Sequence, residues 1–156
     1  MHDAGNIAPH HANEPETRRT AAADRHGKLS AMKTSHAQIP AYVTKDGSEI
    51  RELMHPAKHR NRLQSLAEAT VAPGCRTALH RHARTEELYH VTSGSGLMTL
   101  GTERMEVGAG DTVLIAPGTP HCIEALGAEP LTILCCCTPP YSHEDTELLE
   151  AQEPPA

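Results

Sequence analysis

His80 and His82 stand one residue apart, Glu87 follows five residues on, and His121 lies on a later segment. Imidazole nitrogens and a carboxylate oxygen are ligands for the same small set of divalent ions. In a strand, alternate side chains share a face, so His80 and His82 point the same way. Glu87 falls in the next run, where Glu87, Tyr89 and Val91 share one face and Leu88 and His90 take the other. The Ala83–Thr85 connection can bring Glu87 beside the histidines. His121 follows Pro117-Gly118-Thr119-Pro120, a rigid turn that fixes its direction. Three neutral imidazoles and one carboxylate suit a divalent transition metal. Six-coordinate Fe or Mn would keep two positions for substrate or oxygen, whereas tetrahedral Zn would be closed by four ligands. The ligand types leave Fe, Mn, Ni, Co, Cu and Zn open. Tyr89 shares the face of Glu87 and is the candidate catalytic residue, as a proton or hydrogen-bond donor to a substrate. The alternative is a residue that only lines the interior.

Positioning these residues requires strands. From about residue 40 the chain breaks into short β-like runs at 41–44, 49–54, 63–72, 78–82, 86–92, 96–100, 103–107, 112–116, 121–126 and 130–138. The breakers between them include Asp46-Gly47, Pro73-Gly74, Gly94-Ser95-Gly96, Gly108-Ala109-Gly110 and Gly127. Runs 96–100 and 103–107 read as a hairpin joined by Gly101-Thr102. About ten short strands predict an all-β sandwich or barrel. The 156 residues contain no Phe and no Trp, so the core must be built from Val, Leu, Ile, Met and Ala. Residues 142–150 read as a short terminal helix, because Ser142 and Asp145 resemble a capping box. Residues 1–31 are polar, His-rich and aperiodic, which predicts a disordered arm before a domain over 32–156. Met32 is an alternative natural start.

Other reactive residue types read as structural. His90 has the wrong parity for the metal shell. In the run Cys135-Cys136-Cys137, the outer two share a face; they read as small core residues, with a reactive thiol near the metal as the alternative. Arg76, Arg81 and Arg84 surround the first histidines. They read as solvated charges, with recognition of an anionic substrate as the alternative. The basic run Lys58, His59, Arg60 and Arg62 is weighed the same way.

The net charge of −6 is concentrated in the acidic stretch from Ser142 onward, and no basic face suggests nucleic acid. No apolar run approaches the roughly 18 residues of a transmembrane helix, and no secretory leader is evident. Five cysteines, three of them contiguous, do not form a disulfide framework, so a reducing cytoplasm is the expected location.

These residues also carry a family resemblance. The pattern G-x5-H-x-H-x3,4-E-x6-G, the first motif of the cupin superfamily, matches Gly74, His80, His82, Glu87 and Gly94. The second, G-x5-P-x-G-x2-H-x3-N, matches Gly110, Gly118 and His121, with Ala116 in place of the proline and Ala125 in place of the asparagine. The chain resembles small single-domain metal cupins, including those labelled mannose-6-phosphate-isomerase-like, over about residues 60–138. The resemblance implies a jelly-roll β-barrel of two antiparallel sheets with the metal inside, a small-molecule substrate and a homodimer. It implies oxidoreductase chemistry of the dioxygenase type, or Lewis-acid isomerase or lyase chemistry. The alternative is a non-catalytic ligand- or metal-binding module.

Overall fold

The computed structural model describes residues 32–150. The disordered arm expected over 1–31 lies outside the described residues. Each of the ten expected runs holds a strand. These are β1 (Tyr42–Val43), β2 (Glu49–Met54), β3 (Ser65–Val71), β4 (His80–His82), β5 (Glu86–Ser93), β6 (Ser95–Leu100), β7 (Glu103–Gly108), β8 (Thr112–Ile115), β9 (His121–Leu126) and β10 (Leu131–Thr138). An eleventh, β11 (Thr146–Leu148), follows. A single 3-10 turn at His36–Gln38 is the one helical element among the described residues.

The strands form two antiparallel sheets, consistent with the expected cupin barrel. One has the order β1-β2-β3-β10-β5-β8 and the other β11-β4-β9-β6-β7. Period-two alternation decides which side chains are enclosed. In β5, Leu88 and His90 face out while Glu87, Tyr89 and Val91 are buried; in β10, Leu131, Ile133, Cys135 and Cys137 are buried. The core is the expected one without Phe or Trp: Val71, Val91, Met98, Ile115, Ile123, Leu131 and Ile133 dominate it. Many modest contacts, rather than a few large rings, supply its cohesion. The β6–β7 hairpin turns at Gly101-Thr102 as predicted, with Leu100 opposite Glu103 and Gly101 at φ 61°.

The helix expected at 142–150 does not form. Ser142 and Asp145 instead close a tight turn, in which the Asp145 N–H donates to the Ser142 carbonyl at 3.2 Å. The Asp145 carboxylate, expected to support a helix start, accepts from the Arg84 and Thr85 N–H groups at 3.2 and 3.0 Å. Thr146–Leu148 then pairs antiparallel with β4, placing Thr146 opposite His82 and Leu148 opposite His80. An open strand edge offers a full ladder of hydrogen bonds, which outweighs a weak local helix signal.

Candidate metal centre

The three histidines belong to one sheet and the carboxylate to the other. His80 and His82 lie on β4, and His80 sits directly opposite His121 of β9. Glu87 reaches in from β5 of the facing sheet. The four residues are buried, and one ligand atom from each lies within 4.8 Å of the others. The expected set of His80, His82, Glu87 and His121 is therefore assembled in space.

The outer face of each ring is tied down. His80 Nδ1 is 2.8 Å from the Ala78 carbonyl, and His121 Nδ1 is 3.0 Å from the Thr119 carbonyl. His82 Nδ1 is 3.1 Å from Thr146 Oγ1. The Thr146 hydroxyl donates to the Ser142 carbonyl at 2.8 Å, so toward His82 it must accept. Each ring thus carries its proton on Nδ1 and turns an Nε2 lone pair inward, the usual way in which outer partners orient metal-binding histidines.

That arrangement sets acceptors against acceptors. Glu87 Oε2 lies 3.1 Å from His82 Nε2 and 3.5 Å from His121 Nε2. The longer distance makes no hydrogen bond, and His121 Nε2 is buried without a partner. Burial pushes the Glu87 carboxyl upward; only Nε2–H donors on His121 and His82 would bring it down to about 2, and rings protonated on Nδ1 leave that role to a cation. Burial, and then the neighbouring His121, push His80 below the ordinary imidazole range. Three inward lone pairs around a buried carboxylate call for a cation, and burial disfavours supplying it by protonating His80. The residues present fit a divalent metal.

The centre opens on a small cavity of about 50 Å³, whose lining includes His80, His82, Glu87 and Tyr89. Tyr89 is buried, with its ring centroid 5.9 Å from that of His121. Burial, followed by the Glu87 charge, pushes its phenol well above the ordinary value. Cys135 and Cys137 line the same cavity. Both are pushed up by burial, which keeps them as thiols. His90 is exposed and paired with Thr112 Oγ1 at 2.8 Å, outside the centre.

Two contributors were not anticipated from the sequence. Thr146 supports His82 from within the segment read as helix. Tyr141 lies edge-on to His82 at 5.9 Å between centroids, with its hydroxyl 3.2 Å from Thr44 Oγ1. Tyr141 is one of three aromatic residues in the chain, apart from the histidines, and it follows Pro139-Pro140. That scarcity beside a rigid turn was the available signal.

Comparison with known proteins agrees with this geometry. A family model described as the cupin domain matches residues 67–137. An uncharacterized protein of Methanocaldococcus jannaschii is 55% identical over 122 residues, covering 78% of this chain and 98% of the relative. Among solved structures, oxalate decarboxylase from Bacillus subtilis superposes with a TM-score of 0.67 at 26% identity, over 80% of this chain. The chain spans 33% of that enzyme's length. The polyketide cyclase RemF from Streptomyces resistomycificus superposes with a TM-score of 0.67 at 19% identity, covering 80% of this chain and 89% of the cyclase; at that identity the likeness is one of fold.

Proposed function

This chain belongs to the cupin superfamily, and from that premise we propose that it is a metal-dependent enzyme acting on a small organic molecule held in its barrel. One observation carries the reading: three Nδ1-anchored histidines face a buried carboxylate, and His121 Nε2 is without a partner. His80, His82, Glu87 and His121 would hold the metal. A divalent transition ion there supplies Lewis acidity or oxygen activation, so dioxygenase-type, isomerase and lyase chemistry all fall within the proposal. Likeness to an oxalate decarboxylase supports a catalytic over a binding-only role.

The chain's own residues would do the remaining work. The four ligands are buried, and the cavity beside them offers room for a small ligand. Tyr89, kept as a phenol by burial, is a standing hydrogen-bond donor toward a molecule in the cavity. Tyr141 packs against His82 and limits the motion of that ring. A cytoplasmic homodimer is part of the same proposal. Among the described residues, no helix is long and apolar enough to cross a membrane.

The test is elemental analysis of the protein as isolated, beside His82→Ala, followed by turnover and oxygen uptake with each reconstituted metal across a substrate panel. Stoichiometric metal in the parent, its loss in His82→Ala, and turnover with one metal are expected. Full metal content in His82→Ala would overturn the ligand assignment. Tight ligand binding with no turnover by any metal form would favour the non-catalytic module.

A further inference from the structure

The wall of the cavity beyond the metal ligands is acidic. Asp46 and Glu52 both line it, and among the described residues no Lys or Arg does. Asp46 is internally satisfied, accepting from the Ser48 N–H and hydroxyl at 3.1 and 2.7 Å through Oδ1. Glu52 is not. It is only 8% exposed, and its Oε1 is buried with no hydrogen-bond partner. Its other oxygen has one long contact, 3.4 Å from the Tyr42 hydroxyl. A buried carboxylate oxygen without a donor is costly, so its presence in a cavity wall points to a donor brought by a ligand.

The three arginines that flank the first histidines are paired elsewhere. Arg76 pairs with Glu150 at 2.8 Å, Arg81 with Glu147 at 2.7 Å and Arg84 with Asp145 at 3.0 Å. Lys58 and His59 line a separate hollow, whose wall Glu52 and Tyr42 share with the cavity. Burial pushes the Glu52 carboxyl up, and His55, Lys58, His59 and Tyr42 oppose that shift.

Glu52 also stands at a useful remove from the metal ligands. Glu52 pairs with Ala67, Ala67 with Cys135, and Cys135 with Tyr89, forming one row across β2, β3, β10 and β5. Three strand spacings separate Glu52 from the strand that carries Glu87, about 14 Å measured along the sheet. A molecule reaching both groups would meet the metal with one end and Glu52 with the other.

We propose that Glu52 is a specificity-determining residue, selecting a neutral or cationic substrate that presents a hydroxyl or ammonium donor to it while its other end ligates the metal. This rests on the metal reading above. It departs from the dicarboxylate named for the oxalate decarboxylase of like fold, because an anionic tail reaching away from the metal would meet Asp46 and Glu52 with no Lys or Arg lining the cavity to offset them.

Hydroxamates that share one chelating head and carry an ammonium, hydroxyl or carboxylate tail, in graded tail lengths, test the proposal. They are titrated into the Co(II)-loaded full chain and followed by the visible spectrum of the ion. At the spanning length, the ammonium and hydroxyl tails should bind about tenfold tighter than the carboxylate tail, the worth of one charge-assisted hydrogen bond. Glu52→Gln should erase the ammonium preference with Co(II) stoichiometry unchanged. A carboxylate tail that binds as tightly as the others in the unmodified protein overturns the proposal, and that comparison does not depend on the variant folding. So does a Glu52→Gln protein that takes up Co(II) fully and keeps the original ranking. Failure of the unmodified protein to take up Co(II) overturns the metal reading itself and this inference with it; full uptake with the carboxylate tail ranked first overturns the substrate class alone.

Discussion

Cys137 Sγ lies 3.2 Å from Glu87 Oε1 and donates to it, while the other oxygen of the same carboxylate faces His82 and His121. The two residues are direct partners across β10 and β5, so strand register sets the contact. One thiol thus fixes which Glu87 oxygen is presented to the histidines. Groups that orient a ligand carboxylate tune metal affinity without touching the metal. Cys137→Ala is expected to weaken metal binding by about tenfold to a hundredfold, measured by competition with a chromophoric chelator. Cys137→Ser, which keeps a donor, should recover part of the loss. Equal affinities for all three proteins would show that the thiol only fills space.

Thr146 fixes His82 in the same indirect way. Its hydroxyl donates to the Ser142 carbonyl and accepts from His82 Nδ1, which selects the tautomer that leaves Nε2 free. Thr146→Val preserves shape and removes the acceptor. Metal affinity should fall by about tenfold or more, while Thr146→Ser retains it. His90→Ala is the control: His90 is exposed on the opposite face of β5, and its loss should leave affinity unchanged.

What was legible in the sequence was what local geometry determines. The alternation in β5 separates Glu87 and Tyr89 from His90 within four residues, so parity placed all three correctly. The glycines and prolines marked the turns that bound each strand. Thr146 was misplaced because its role depends on pairing with His82, 64 residues earlier, while its immediate neighbours look like a helix start. No local pattern encodes which distant edge a segment will cover. Glu52 was readable in principle. It shares the parity of Ile50 in β2, so a charged residue falls on the face that the core claims. A polar side chain at an inward position breaks the alternation, and such breaks tend to collect at functional sites.

Asp145 should make the fold sensitive to acid. Burial pushes its carboxyl up, but hydrogen bonds from Arg84 and Thr85 prevail and bring it down from 3.8 to about 2. The native state therefore favours the ionised form more strongly than the unfolded chain does. The resulting stability is fully present above the unfolded value near pH 4 and is lost as pH falls through about 2. Urea denaturation of the parent and Asp145→Asn at a series of pH values checks this. The parent should be the more stable above pH 4, and the gap should close steadily toward pH 2. A gap that does not change with pH would mean that the carboxylate's charge contributes nothing and only its shape matters.

Gly94 closes the first sequence motif for a steric reason, and its replacement should destabilise the barrel without touching the metal ligands. It lies between β5 and β6 at φ 79°, in the left-handed region that side chains disfavour. A Cβ there would stand 2.5 Å from the Pro130 carbonyl oxygen and 3.0 Å from Leu131 Cα, both backbone atoms with little freedom to yield. Leu131 is fully buried and opens β10, the strand that carries Cys135 and Cys137, so displacing it disturbs the core from its edge. Gly94→Ala is expected to cost about 1–3 kcal/mol from backbone strain alone, with the clash adding to it. Gly101 also has positive φ, at 61°, but nothing lies within 4 Å of an added Cβ. Gly101→Ala should therefore lose less than Gly94→Ala. Thermal unfolding of the two variants side by side separates conformational strain from collision, and equal losses would mean that the approach of Pro130 contributes nothing.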